Sequence, residues 1–341
     1  MLKALRGDQI RVIVTGGLGY IGSHICIELI SHGYEVVIID NLSNSTPKAL
    51  DSIQKITDIR PILCRLDIRD EEAITALFHE VMPEAVIHCA ALKDVVESFS
   101  KADEYNAVNV QGTFNLLEAC KSAGVNKFIF SSSAAIYGRP KNLPLLETSK
   151  IDPISPYGQS KFSGELAIHK SSNEVTKIQS AILRCSNPVG GHPSGHLGES
   201  PLCEPTNLMP TICRAAKTGV ALKVFGSDYP TEDGTAKRDY VHVVDVASAH
   251  IAALQYLGRA DLAVTTLNIG VGRGCSVLEM VNCFERVNGL SITRNFVERR
   301  DGDAAESYGD NSQAKSSLNW NPSFSMEEMC IHSWNWFQRD I

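Results

Sequence analysis

Thr15-Gly16-Gly17-Leu18-Gly19-Tyr20-Ile21-Gly22 is the stretch on which the fold reading turns. It follows an apolar run, Arg11 to Thr15, and precedes a helix-like segment, Tyr20 to Ile30. Glycines at 16, 19 and 22 let the chain turn tightly, approach a pyrophosphate and pack helix against strand. The amino terminus of the helix then offers free N–H groups to phosphates. Asp40 ends the next β-branched run, Val36 to Ile39, at about the distance where an acid takes the adenosine ribose hydroxyls. An acid there repels a 2′-phosphate, so NAD is expected rather than NADP. Asp67, after the run Ile62 to Leu66, is expected to accept from the adenine amino group.

Outward from this motif the alternation continues. Ala85 to Cys89, Phe128 to Ser131 and Ile178 to Leu183 read as further buried strands. Glu71 to Val81, Ala102 to Lys121 and Tyr157 to His169 read as the helices between them. Apolar strands alternating with helices predict an α/β fold: a Rossmann-type doubly wound parallel sheet. The texture changes near residue 186. Asn187 to Thr206 is a Gly/Pro/Ser/His-rich loop of functional length. Helices are expected near Asn207 to Lys217, Val244 to Leu257, Val277 to Val287 and Met326 to Trp336, with a strand near Lys223 to Phe225. The predicted division is a dinucleotide-binding domain, 1–186, and a smaller mixed α/β carboxy-terminal substrate lobe, 187–341. Within that lobe the segment near 235–260 is expected to pack back onto the first domain.

Composition narrows the function classes. The 341 residues carry a net charge of −7, 43% hydrophobic and 21% charged residues, which suits a globular core and not a disordered chain. No apolar run is long enough to span a membrane, and Met1 to Asp8 does not read as a secretory signal. The acidic balance argues against nucleic acid as a partner. Ten cysteines without a Cys-x-x-Cys pair suggest reduced thiols and a cytoplasmic setting, with no metal site.

Tyr157 and Lys161 lie four apart, on one face of a predicted helix. A tyrosine base must lose about three units from a reference pKa of about 10 to work at neutral pH. A lysine ammonium one turn away and a cationic nicotinamide are expected to supply that field. Ser133, ending the fifth run in Ser131-Ser132-Ser133, can hydrogen-bond at the same oxygen.

Taken together, Thr15 to Gly22, Ser131 to Gly138 and Tyr157 to Lys161 resemble the extended short-chain dehydrogenase/reductase superfamily. The resemblance is strongest to its branch that epimerises UDP-hexoses at carbon 4. It extends through Ala91-Leu92-Lys93, Asn187 to Gly195, Asn207 to Pro210, Asp228 to Thr235, Arg238 to Val243 and Arg299-Arg300-Asp301-Gly302-Asp303. It implies Tyr157 as base, Ser133 as its assistant and Lys161 on the nicotinamide ribose. It implies cofactor contacts at Gly16, Gly19, Tyr20, Ile21, Gly22, Asp40, Asn41, Asn44, Ser45, Asp67, Ile68, Ala90, Lys93, Asn109, Ser131, Tyr157, Lys161 and Ser186. The UDP-sugar substrate would meet Ser133, Tyr157, Asn187, Asn207, Leu208, Arg238, Arg300, Asp303 and Ser307, the two arginines at its diphosphate. A homodimer built on the helices Ala102 to Lys121 and Tyr157 to His169 is likewise implied.

Three departures stand out. The family usually has Arg-Tyr-Phe-Asn where this chain has Arg184-Cys185-Ser186-Asn187, so either a looser grip on NAD or a reshaped sugar pocket is expected. Val108 replaces an Asn of some relatives. Ser307 falls where some relatives carry Tyr. A small residue there accompanies acceptance of N-acetylated sugars, so UDP-GalNAc and UDP-GlcNAc are expected substrates beside UDP-galactose and UDP-glucose. Two rivals share the fold. A nucleotide-sugar 4,6-dehydratase needs an acid and a base after the catalytic serine, where Ala134 and Ala135 stand. A non-catalytic NAD sensor predicts a damaged trio, yet all three residues are intact.

Overall fold

The computed structural model describes residues 9–172, 178–202, 204–259, 262–300 and 303–339. Met1 to Asp8, and Asp301-Gly302 of the quoted motif, lie outside the described residues. Six strands alternate with helices: β1 (Arg11–Thr15), β2 (Glu35–Ile39), β3 (Ile62–Cys64), β4 (Ala85–His88), β5 (Lys127–Ser133) and β6 (Gln179–Cys185). The intervening helices are α1 (Tyr20–Ser31), α2 (Lys48–Thr57), α3 (Glu71–Val81), α4 (Val95–Ser100), α5 (Ala102–Tyr105), α6 (Gly112–Ala123) and α7 (Pro156–Ser172). The sheet runs β3-β2-β1-β4-β5-β6 with every pairing parallel. Strand order reverses between β1 and β4, which opens a crevice at their carboxyl ends where doubly wound sheets bind ligands.

A seventh parallel strand, Val264–Ile269, extends β6. It comes from beyond the segment near 235–260 that was expected to return. That segment forms the helix Val243–Leu257, which packs on α1, β5 and β6. Both sheet faces are therefore covered. Val14, Ile38, Ile129 and Leu183 pack under α1 and Val243–Leu257, while Ile13, Val37, Val86 and Phe128 pack under α3, α6 and α7.

The expected helix Ala102 to Lys121 is interrupted. A π-helical turn, Asn106–Gln111, separates α5 from α6, and such turns cluster at functional sites. The carboxy-terminal lobe has its own core. Helices Leu208–Thr218, Val277–Asn288 and Met326–Arg339 bury Ile212, Phe284 and Cys330 around the paired strands Leu222–Phe225 and Arg294–Val297. Lys237–Arg238 pairs with Cys275–Ser276 and Glu306–Ser307, while Asn187–Val189 pairs with Tyr240–His242. These short pairings bring distant parts of the lobe to the crevice. Among the described residues no helix is long and apolar enough to cross a membrane.

Candidate active site

The glycine turn is built by contact. Gly16 adopts φ +66°, and a Cβ there would stand 2.7 Å from the Ala90 backbone. A Cβ on Gly22 would lie 2.2 Å from the Gly16 carbonyl oxygen. Gly19 begins α1 without a side-chain cap, so the N–H groups around Tyr20, Ile21 and Gly22 remain available to an anion. Asp40 is buried and accepts from Leu18 N–H at 3.0 Å, Leu42 N–H at 2.9 Å and the Ser45 hydroxyl at 2.7 Å. Asn41 donates to Asp67, while Asn44 is exposed at the rim. Asp67 is occupied chiefly by Arg69, whose hydrogen bonds hold its carboxyl well below the usual range, with Asn41 adding to the effect. An uncrowded helix end, glycine surfaces and a ribose-height acid fit a dinucleotide.

The opposite wall of this groove is tied together through His88. The Ala90 N–H donates to Thr15 Oγ1 at 3.3 Å, and Thr15 Oγ1 lies 2.7 Å from His88 Nδ1. His88 Nε2 meets Thr113 Oγ1 at 3.0 Å, and Thr113 donates to the Asn109 carbonyl. A neutral imidazole accepting at Nδ1 and donating from Nε2 satisfies both neighbours, and burial lowers His88 to about 3. Asn109, presented by the π-helical turn, spends its amide on Leu92 N–H, Leu92 C=O and the Ser160 hydroxyl. It shapes the loop that carries Lys93. Ile68 is buried against Gly112 beneath the same wall.

The trio sits where β5 ends and α7 begins. Tyr157 stands beside Ser133 and packs edge-on against Tyr105. Lys161 is buried, donates from Nζ to the Ser131 carbonyl at 2.9 Å and lies 4.9 Å from the Phe130 ring centroid. Burial lowers Lys161 to about 8, with Cys89, Cys185 and Glu165 opposing that fall. Within the protein alone burial raises Tyr157, and Ser133 beside it only partly opposes the rise.

Below the trio lies a buried polar network. Ser132 donates to Glu165 at 2.5 Å, and Glu165 receives Arg184 through Nε at 3.1 Å and Nη2 at 2.8 Å. Arg184 continues to Tyr137, and Tyr137 to Asn268. Cys185, the strand partner of Ser133, has its thiol pushed up to about 12 by burial and donates to the Leu183 carbonyl at 3.6 Å. It is an uncharged small side chain.

The second half of the site comes from dispersed segments. Ser186 stands beside the buried Asp239 carboxylate, which accepts from Val271 N–H at 2.8 Å and Gly272 N–H at 3.1 Å. Asn187 is exposed and donates its side-chain amide to the Asp239 carbonyl at 3.1 Å. Arg238 is anchored by the Ala304 carbonyl at 2.8 Å and Asp303 at 3.1 Å. Arg300 covers the Phe225 ring at 4.0 Å. Arg238 and Arg300 both pull down on the buried Tyr240 hydroxyl and Asp303 pushes up, so the three charges share one locale. A cleft of about 650 Å³ joins Arg300, Asp303 and Glu306 with Arg139, Pro140 and Leu143. Asn207 starts the helix Leu208–Thr218, and Ser307 pairs with Arg238.

Sequence reasoning missed Glu199, Asp239 and His88. Asp239 stands beside Arg238 in a quoted motif, so adjacency was its one signal. Among the described residues no group of three or more His, Cys, Asp and Glu side chains converges to hold a metal.

Residues 12–270 match the NAD dependent epimerase/dehydratase family. A protein of Bacillus subtilis named UDP-glucose 4-epimerase is 44% identical over 97% of both chains. The crystal structure of a UDP-glucose 4-epimerase from Stenotrophomonas maltophila with bound NAD and formylated UDP-arabinopyranose is similar at TM-score 0.94. It is 43% identical over 97% of this chain and 98% of its own. A Bifidobacterium longum UDP-glucose 4-epimerase in complex with NAD+ and UDP is 39% identical, with TM-score 0.92 and coverage of 97% and 98%.

Proposed function

This chain belongs to the NAD dependent epimerase/dehydratase family, and from that premise we propose that it interconverts the carbon-4 epimers of a UDP-hexose with NAD. UDP-galactose and UDP-glucose form the primary pair, and their N-acetylated counterparts a second. One observation carries the reading. Tyr157, beside Ser133 and above a buried Lys161, stands at the carboxyl end of a sheet whose reversal point holds an open glycine turn.

NAD, when bound, supplies the acceptor and the source of the hydride that leaves and returns to carbon 4. The chain's own residues manage the proton and the pose. Tyr157 takes the proton from the carbon-4 hydroxyl, and Ser133 steadies the resulting charge through its hydrogen bond. Burial raises Tyr157, so a bound NAD would supply the positive field that favours its ionised form, and Tyr157 would hold the proton for return to the sugar. Asp40 would hold the adenosine ribose and the amino terminus of α1 the pyrophosphate. Arg238 and Arg300 hold the uridine diphosphate as planar forks. Asn187, Asn207, Leu208, Asp303 and Ser307 border the sugar and uridine, leaving the 4-ketose free to turn its other face.

We also assign a homodimer and a cytoplasmic location. Val96, Phe99, Phe114 and Leu166 are large apolar side chains exposed on α4, α6 and α7. A patch on neighbouring helices supports self-association. Nine cysteines among the described residues are free thiols, which supports a reducing compartment. Light scattering of the purified protein should give twice the chain mass.

The decisive experiment incubates purified protein with UDP-galactose, without added cofactor, and separates nucleotide sugars by chromatography. UDP-glucose should accumulate to an equilibrium mixture. A 4,6-dehydratase would instead release a 4-keto-6-deoxy sugar, which Ala134 and Ala135 beside Ser133 do not support. A sensor would return UDP-galactose unchanged.

A further inference from the structure

Glu199 links two groups assigned to different ligands. Its Oε1 accepts from Lys93 Nζ at 2.9 Å and from Asn207 Nδ2 at 2.9 Å. Lys93 belongs to the cofactor wall and lies 6.0 Å from the Tyr20 ring centroid, at the start of α1. Asn207 belongs to the nucleotide-sugar side. A single oxygen therefore receives a donor from each half of the site, across 106 residues for Lys93 and 8 for Asn207.

The carboxylate is held there by its own segment. The Glu199 carbonyl accepts from Trp336 Nε1 at 3.1 Å. Gly198 passes so close to the Trp336 ring that a Cβ would stand 2.4 Å from it, and Gly198 bridges to Gly191. Glu199 has only 10% of its side chain exposed, whereas Lys93 has 47%. The lysine reaches to a fixed anion, rather than the reverse.

An anion at this position is costly for a protein that must accept two diphosphates, unless a cation neutralises it. Lys93 is that cation. Donation of one Asn207 N–H to the carboxylate also fixes the amide's orientation, leaving its oxygen and other N–H for the sugar. We propose that Glu199 is a positioning residue that couples the cofactor and nucleotide-sugar halves through Lys93 and Asn207. The inference rests on the UDP-hexose reading above and adds a residue that reading does not use.

The coupling has a sign. Lys93→Met leaves the Glu199 charge uncompensated beside incoming UDP, so a cofactor-side substitution must weaken binding on the substrate side. Glu199→Gln keeps an acceptor for Asn207 but removes the charge. Four proteins test this: wild type, Lys93→Met, Glu199→Gln and the double variant. UDP binding is measured by calorimetry, NAD content by release in acid, and folding by thermal unfolding. Lys93→Met should raise the Kd for UDP about tenfold, and adding Glu199→Gln should restore it to within about threefold of wild type. Equal weakening in the Lys93→Met and double variants overturns the coupling, including the case where NAD loss alone weakens UDP. If wild type interconverts UDP-hexoses but the cycle is additive, this inference falls and the reaction stands. If wild type neither binds UDP nor turns over the sugar, both fall.

Discussion

The cofactor half and the nucleotide-sugar half of this site are made in different ways. The first is a matter of backbone: a glycine turn, an uncapped helix end and strand ends brought together by one parallel sheet. The second is a matter of side chains, gathered from Asn187, Asn207, Arg238, Arg300 and Ser307 over more than a hundred residues by two- and three-residue strands. A half made of backbone tolerates little change in shape but nearly any change of exposed side chain. A half made of side chains tolerates the converse. The trio stands at the seam, and the largest effect is expected there. Tyr157→Phe removes the proton acceptor while keeping the ring against Tyr105. Turnover of UDP-galactose should fall at least about 10³-fold with NAD content unchanged. Loss of NAD would mean that the hydroxyl serves the cofactor half rather than the reaction.

The next largest effect tests whether the backbone half depends on buried charge. Arg184 and Glu165 are an ion pair with side chains 7% and 2% exposed, beneath Ser132 and next to the strand that carries Ser133. Arg184→Met strands a buried carboxylate and should cost about 3–5 kcal/mol in urea unfolding. Adding Glu165→Leu should recover most of that loss, since an apolar pair of similar volume needs no counter-charge. A double variant as unstable as the single one would locate the cost in packing instead.

Acid should separate the halves by sign. His24, His88 and His250 in the cofactor half, and His242 where the halves join, are lowered by burial to about 3, 3, 4 and 2. Each is neutral when folded and takes a proton near 6.5 when unfolded. Their contribution is therefore full above pH 6.5 and is lost as pH falls below it, by about 1.4 kcal/mol per pH unit for each. Asp239, raised by burial to about 6, works oppositely: its folded form holds a proton that the unfolded carboxyl releases near 4. Between pH 4 and 6 its stabilisation declines as pH rises. Four groups outweigh one, so stability from urea titrations should drop steeply between pH 6.5 and 5. Asp239→Asn should steepen that drop. A flat profile would mean that the histidines are accessible in the folded chain.

The difference in construction also decides what was legible. Periodicity found β1 to β6 and α7 because a buried parallel strand is written in consecutive β-branched residues, and the glycine turn in three fixed spacings. Tyr157 and Lys161 were legible because one helical turn joins them. The strand Val264–Ile269 was missed although its composition is β-branched, because nothing local tells a lobe strand from one that crosses back to the main sheet. The π-helical turn was not read, since Asn106–Gln111 holds too few apolar residues to display the phase shift that an inserted residue makes. Glu199 was unreadable for a stronger reason: its role lies in two donors that only the fold delivers.

On the side-chain half, Arg238→Met should raise the KM for UDP-galactose about 10- to 100-fold with a smaller change in kcat. The guanidinium holds Asp303 and the Ala304 carbonyl in place as well as offering donors to phosphate. Arg238→Lys keeps charge without the fork, so it should recover only part of the loss. Full recovery would reduce this residue to a point charge and weaken the contrast with the geometrically fixed glycine turn.

Ser307 should give the smallest effect and the finest test of the contrast. Its carbonyl accepts from Asp239 N–H at 3.1 Å and its backbone pairs with Arg238. A larger side chain there can leave the strand and the arginine in register. What changes is volume in the half built from side chains, so discrimination between sugars should move while the trio and NAD do not. Wild type should turn over UDP-GlcNAc as well as UDP-glucose. Ser307→Tyr should lower kcat/KM for the acetylated sugar about tenfold relative to the plain one, with NAD content unchanged. An unchanged ratio would place the acetyl group elsewhere, and the cleft that joins Arg139 and Leu143 to Arg300 would be the next wall to probe.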